Sequence, residues 1–310
     1  MISGALSRLG RHALPLLALS IFLGFLAPGL AALVRPLVPL AIFLILTQSL
    51  VRLDWQALGG HAGRVWLVAV LVAVLIVLCP ILLWHLSVLA GLPVALAVAV
   101  MLMGAAPTIV SAPAIALMLG LEAELILVPM VAATALVPFT LPVLLTWLAG
   151  VQVDIDLGNL VLRLLLFVGA AFAAAAVLRR IARPERIKAR AQQLDGVGVL
   201  CLAVFALGIM DGAAAVLAER PGYFALAAAA GFSGNLLLQG LGAGTFAWLG
   251  LRPALSVGLL MGNRNMGLVA AVLADKLAPD TLVFFGIGQL PIYILPWLLA
   301  PVYRRLLARG

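Results

Sequence analysis

The sequence predicts an all-α polytopic membrane protein: ten transmembrane helices arranged as two inverted five-helix repeats, with the fourth and ninth segments discontinuous. Three observations lead there. The first is composition, since 65% of the 310 residues are hydrophobic and only 10% are charged, with a mean hydropathy of +1.26. A soluble chain of this size could not hide so much apolar surface. The second is the regular punctuation of apolar runs by turns and charges. The third is Gly262-Asn263-Arg264-Asn265-Met266-Gly267, which sets an arginine between two asparagines inside one of those runs.

Taken in order, the apolar segments cover residues 12–32, 34–51, 65–88, 92–120, 123–149, 158–178, 196–217, 223–249, 253–274 and 281–303. Arg8 and Arg11 ahead of the first imitate a signal peptide, but the run from Ala13 to Leu33 exceeds the 7–15 residues of an ordinary h-region and reads as a span. With the N-terminus in the cytoplasm, fourteen of the nineteen basic residues fall on the inner side: Arg8, Arg11, Arg52, Arg64, Arg179, Arg180, Arg183, Arg186, Lys188, Arg190, Arg252, Arg304, Arg305 and Arg309. Arg35, Arg163, Arg220 and Lys276 fall outside. That bias predicts a cytoplasmic-membrane protein with both termini in the cytoplasm, and it explains the net charge of +8 better than nucleic-acid binding does.

The basic loop 179–195 divides the chain into repeats 1–150 and 151–310. Met103-Gly104 corresponds to Met261-Gly262, and Leu141-Pro142 to Leu295-Pro296, at nearly equal offsets. Five spans per half make the second half insert upside down. Segment nine has only short apolar pieces on either side of Arg264, whereas a span takes about 20 residues. Broken backbone at that depth requires burial in protein or a water-filled cavity. In segment four, Pro107 and Pro113 bracket Thr108 and Ser111, and proline removes helical hydrogen bonds, so a matching break is expected within 104–113.

These residues carry a resemblance. Gly104-Ala-Ala-Pro-Thr-Ile-Val-Ser-Ala-Pro-Ala through Leu119-Gly-Leu-Glu122, together with Gly262-Asn-Arg-Asn-Met-Gly-Leu268, resembles the bile acid:sodium symporter family over nearly the whole chain. The resemblance implies crossed discontinuous helices in a core of segments 3–5 and 8–10, and a panel of segments 1, 2, 6 and 7. It also implies an organic-anion substrate, bile-acid-like or a small carboxylate. Sodium-coupled members carry a glutamate, then after three residues a glutamine and an asparagine at the second break. Here those positions hold Leu260, Arg264 and Asn265, and a Ser-Asn pair expected in segment four falls on Ala112-Pro113. Sodium needs oxygen ligands, and these side chains supply too few. Sodium stays open as a coupling ion with its expected ligands missing, and no cofactor or metal site is expected.

The substrate-binding candidates are Arg264, Asn263, Asn265, Thr108, Ser111, Asn235, Gln239 and Gln289. Arg264 has two candidate roles. It could bond the carbonyls of the broken helix in place of sodium, or receive a substrate carboxylate with its planar fork; direct contact is the preferred expectation. Arg163 and Asp211, near the outer ends of segments six and seven, are expected to pair at similar depth. Thr47-Gln48-Ser49 reads as interfacial, His85 as a structural histidine, and Cys79 and Cys201 as small hydrophobes. No GxSxG, HExxH or P-loop motif is present, so an enzyme is not expected. Partners are a small organic anion and the lipid bilayer, with oligomeric state open. A metalloid or anion efflux carrier of the same superfamily and a non-transporting receptor stand as alternatives.

Overall fold

The computed structural model describes residues 13–52, 65–150, 156–182 and 184–308. Arg8, Arg11, Arg64, Arg183 and Arg309, used in the orientation argument, lie outside these residues. The described chain is helical, with one isolated antiparallel bridge. Seven of its helices are long and apolar enough to cross a membrane, and Val94–Ala105 and Leu251–Gly262 are shorter apolar helices.

The described residues begin with α1 (Ala13–Leu26), α2 (Pro28–Val34), a 3-10 turn at Arg35–Leu37 and α3 (Val38–Arg52). The first discontinuity therefore falls at Ala27, not at residue 33 where turn signals place it. Pro28 is at the start of α2, where a missing N–H costs nothing, and the turn at Arg35 lets α2 run on into α3. Next come α4 (Val65–Ala73), a π-turn at Val74–Leu78 and α5 (Cys79–Leu89), forming one rod. The first broken segment is α6 (Val94–Ala105) and α7 (Ala112–Met118), followed by α8 (Ala123–Leu144) with a terminal π-turn.

α9 (Leu157–Ala182) leads through α10 (Pro184–Ala189) into α11 (Ala191–Gly208) and α12 (Ala213–Glu219). A turn containing Gly212, at φ +83°, separates the last two; left-handed backbone of this kind suits glycine. Then follow α13 (Pro221–Thr245), the second broken segment α14 (Leu251–Gly262) and α15 (Met266–Leu273), and finally α16 (Pro279–Ile287) and α17 (Gln289–Leu307).

Small residues set the most extensive helix–helix contact, between α13 and α14. A Cβ on Gly258 would stand 2.6 Å from the Gln239 carbonyl oxygen, and one on Gly242 would stand 3.0 Å from the Val257 carbonyl oxygen. Apolar attraction gives little between helices in lipid, so close backbone approach supplies the dispersion contact instead. α3 packs against both α9 and α11, and this arrangement corrects the expected Arg163–Asp211 pair. With α3 between the two helices, equal depth does not bring their side chains together. Arg163 bonds Asp275 beyond α15, at 2.8 Å, while Asp211 takes Arg35 at 2.9 Å. The Arg163 guanidinium holds the Asp275 carboxyl below its usual range. Arg220 pairs with Asp280 in the same way, at 2.6 Å.

Gly258→Val is expected to separate α13 from α14 and lower the thermal unfolding temperature of the purified protein. Gly240→Val, which meets open space on the partner helix α13, should leave it nearly unchanged. Equal effects from the two would show that α13–α14 proximity is not limiting.

Candidate functional site: the crossing of the two broken helices

Local chemistry dictates both breaks. Pro107 has no N–H to continue α6, and the residue before a proline is driven to extended backbone; Ala106 accordingly sits at φ −64°, ψ 145°. In the second segment Asn263 is extended at φ −92°, ψ 99°, and Asn265 restarts the helix by accepting from the Leu268 N–H at 3.3 Å. The two extended stretches satisfy each other. Ile109 N–H donates to the Asn263 carbonyl at 3.0 Å and Asn265 N–H to the Pro107 carbonyl at 2.7 Å, around an antiparallel bridge between Thr108 and Arg264. The Thr108 hydroxyl donates to the Leu260 carbonyl at 2.8 Å. Backbone that would be intolerable against lipid is thus paired inside protein.

Arg264 lies at the centre of the crossing with no solvent exposure. Its Nε donates to the Met261 carbonyl at 2.6 Å, and its Nη1 donates to the carbonyls of Leu75 and Ala106, both at 3.1 Å. Each acceptor is free for a stated reason. Met261 and Ala106 stand at the C-terminal ends of α14 and α6, where carbonyls lack intrahelical donors. In the π-turn the Cys79 N–H reaches back to Val74, so in the same register the Leu75 carbonyl faces the nitrogen of Pro80, which has no hydrogen. Each helix C-terminus carries about half a negative charge, so two of them roughly balance one guanidinium. Arg264 Nη2 and Asn263 Oδ1 are buried and make no hydrogen bond.

A relay braces the crossing from α13. Tyr303 Oη donates to Gln239 Oε1 at 2.8 Å, Gln239 Nε2 to Asn235 Oδ1 at 2.6 Å, and Asn235 Nδ2 to the Gly262 carbonyl at 2.8 Å. These amides are occupied in holding the end of α14.

Beside the crossing, a cavity of about 320 Å³ lies among α3, α11, the first break and α17, and Ser111, Asn265, Gln289, Gln48, Ser49 and Tyr293 are among its lining residues. Gln289 is 3% exposed, and its Nε2 has no hydrogen-bond partner. Of the eight candidates, Ser111, Asn265 and Gln289 line this cavity. Arg264, Asn263, Thr108, Asn235 and Gln239 lie in the buried crossing and are not among its lining residues. Sequence reasoning missed Gln48, Ser49 and Tyr293 as cavity residues. Three successive polar residues at 47–49 in an otherwise apolar helix were the available signal.

A second cavity of about 720 Å³ lies at the opposite ends of α3, α11 and α15, lined by Arg35, Asp211, Ala270, Ala274 and Val283 among others. Between the two, Ile42 and Phe205 press on Gly267, where a Cβ would come within 3.0 Å of Phe205 and 3.1 Å of Ile42. This apolar contact forms a septum.

Two broken helices exchanging hydrogen bonds within an apolar helical protein define a class of membrane carrier. The Sodium Bile acid symporter family model matches residues 39–220, more than half of the chain, and the chain belongs to that family of membrane transporters. The matched region contains the first broken segment and ends before the second. No curated protein shows significant similarity to the chain.

Replacing Arg264 with Met should leave three buried carbonyls without donors. At about 1–3 kcal/mol for each unsatisfied group, the thermal unfolding temperature should fall steeply, and Arg264→Lys should recover part of the loss. A variant as stable as the parent would show that the guanidinium does not hold the crossing together.

Proposed function

We propose that the protein is a secondary transporter for a small organic anion that operates without sodium coupling. The carrying observation is the set of three carbonyls bonded by the Arg264 guanidinium, including the C-terminal ends of both half-helices. Half-helix C-termini and unwound carbonyls are the groups with which such carriers hold a coupling cation. Here a fixed cation occupies them. Its enclosure supports the structural of its two candidate roles and leaves the substrate to other donors.

Those donors are Gln289, Asn265 and Ser111 in the cavity beside the crossing, with Gln48 and Ser49 opposite. The unpartnered Gln289 amide is free to meet a carboxylate. A volume of about 320 Å³ is at the small end of ligand pockets, which span about 300–1,000 Å³, and favours a small carboxylate over a sterol anion. The reading includes ten spans in inverted repeats, a core of segments 3–5 and 8–10 and a panel of the rest, in a cytoplasmic membrane with both termini inside. It is supported by the packing of α11 on α1 and α3, and of α14 on α13. The apolar septum separating cavities at opposite helix ends supports alternating access.

Uptake of labelled pyruvate and taurocholate into proteoliposomes, with sodium replaced by choline, tests the reading. Sodium replacement should leave uptake unchanged, and pyruvate should be preferred; strict sodium dependence would overturn the coupling assignment. Gln289→Leu removes a donor that holds no protein partner, so its unfolding temperature should stay near that of the parent. Loss of a hydrogen bond to a charged group, about 1.5–3 kcal/mol, should raise KM by about 10- to 100-fold. Unchanged KM would remove Gln289 from the site.

A further inference from the structure

Each of the two cavities contains one arginine and one aspartate, already paired with each other. Arg52 bonds Asp195, and both line the smaller cavity. Arg35 bonds Asp211 at 2.9 Å, and both line the larger one. Among the described lining residues no other side chain of either cavity is charged. Arg35 and Arg52 bracket α3, while Asp195 lies in the first turns of α11 and Asp211 just beyond its end. Two antiparallel helices, about 22 Å long over α3 at 1.5 Å per residue, are therefore clasped at both ends.

The clasps are not needed to hold those helices together. Gly198 lies against the Gln48 side chain, and a Cβ on Gly208 would stand 2.6 Å from Val38 Cγ2. Gln48 Nε2 also donates to the Leu194 carbonyl at 2.8 Å. All four charged side chains keep substantial solvent exposure, from 23% to 53%, and pairs open to water contribute little to stability. What the clasps do supply is an arginine held toward each cavity, with a carboxylate already docked on it.

Resting on the organic-anion reading above, we propose that Arg52 and Arg35 are the anion-receiving residues of the two faces. In each cavity the aspartate occupies the guanidinium until a substrate carboxylate displaces it. Arg264, sealed in the crossing, plays no part in this exchange. The planar guanidinium fork matches any carboxylate, so the same chemistry serves both faces. The aspartate keeps the site electrically neutral when empty and competes with the arriving anion. Removing it should tighten binding on its own face.

The test is pyruvate uptake into right-side-out and inverted membrane vesicles, with taurocholate run in parallel. Arg52→Gln should raise half-saturation about tenfold or more from one face and leave the other within twofold; Arg35→Gln should give the mirror image. Asp195→Asn should lower half-saturation from the face that Arg52→Gln affects. Size-exclusion profiles and unfolding temperatures of all three should match the parent. Equal shifts at both faces, no shift, or a weaker-binding Asp195→Asn would overturn the exchange while leaving the transport reading intact. A parent protein that takes up neither anion would overturn the transport reading, and this assignment with it.

Discussion

The arrangement depends on one interaction: a single guanidinium bonded to the carbonyl ends of two half-helices. A helix that stops in the middle of an apolar protein leaves carbonyls that water cannot reach and a partial negative charge that nothing screens. Two such ends meeting would repel. Arg264 supplies a positive charge and donors in the fork geometry that three divergent carbonyls require, which an ammonium on a flexible stem would do less well. Because Leu75 also accepts from it, the π-turn of the α4–α5 rod is tied to the same point. Three segments distant in sequence are fixed by one side chain.

That centre leaves the neighbouring groups to differ in role. Asn235, Gln239 and Tyr303 are consumed in a relay that ends on the Gly262 carbonyl, while Gln289 is left with an unused donor at the edge of the cavity. Buried amides that are fully paired stiffen a site, whereas an unpaired one is costly and marks a place where a ligand can be favourable. The septum of Ile42 and Phe205 against Gly267 is apolar and has no hydrogen bonds to break. A sliding contact there would meet packing resistance only.

The broken segments were legible in the sequence because proline and asparagine act locally. Pro107 offers no N–H and drives Ala106 to extended backbone, Pro113 sits in the first turn of the helix that restarts, and Asn265 caps the helix that follows it. The expectation of breaks within 104–113 and about Arg264 agrees with the helix ends at Ala105 and Gly262 and the restarts at Ala112 and Met266. The expected Arg163–Asp211 pair failed because depth along a helix axis says nothing about which helix lies between. Segment boundaries failed similarly at Ala27 and around Gly208–Gly212, where turns occur within apolar runs that hydropathy reads as continuous.

By itself, the sequence determined that this chain is a helical membrane protein, where its two unusual helices stop, and that the second of them carries an arginine and no acidic residue. These follow from composition, from the missing N–H of proline and from residue identity. Only the tertiary structure decided what the arginine does. Its acceptors on Leu75 and Ala106 are 189 and 158 residues away, and no local rule announces that their carbonyls are free and converge. The tertiary structure also divided the polar candidates into those spent on backbone and those facing a cavity, because a side chain's availability depends on every neighbour that could bond it first.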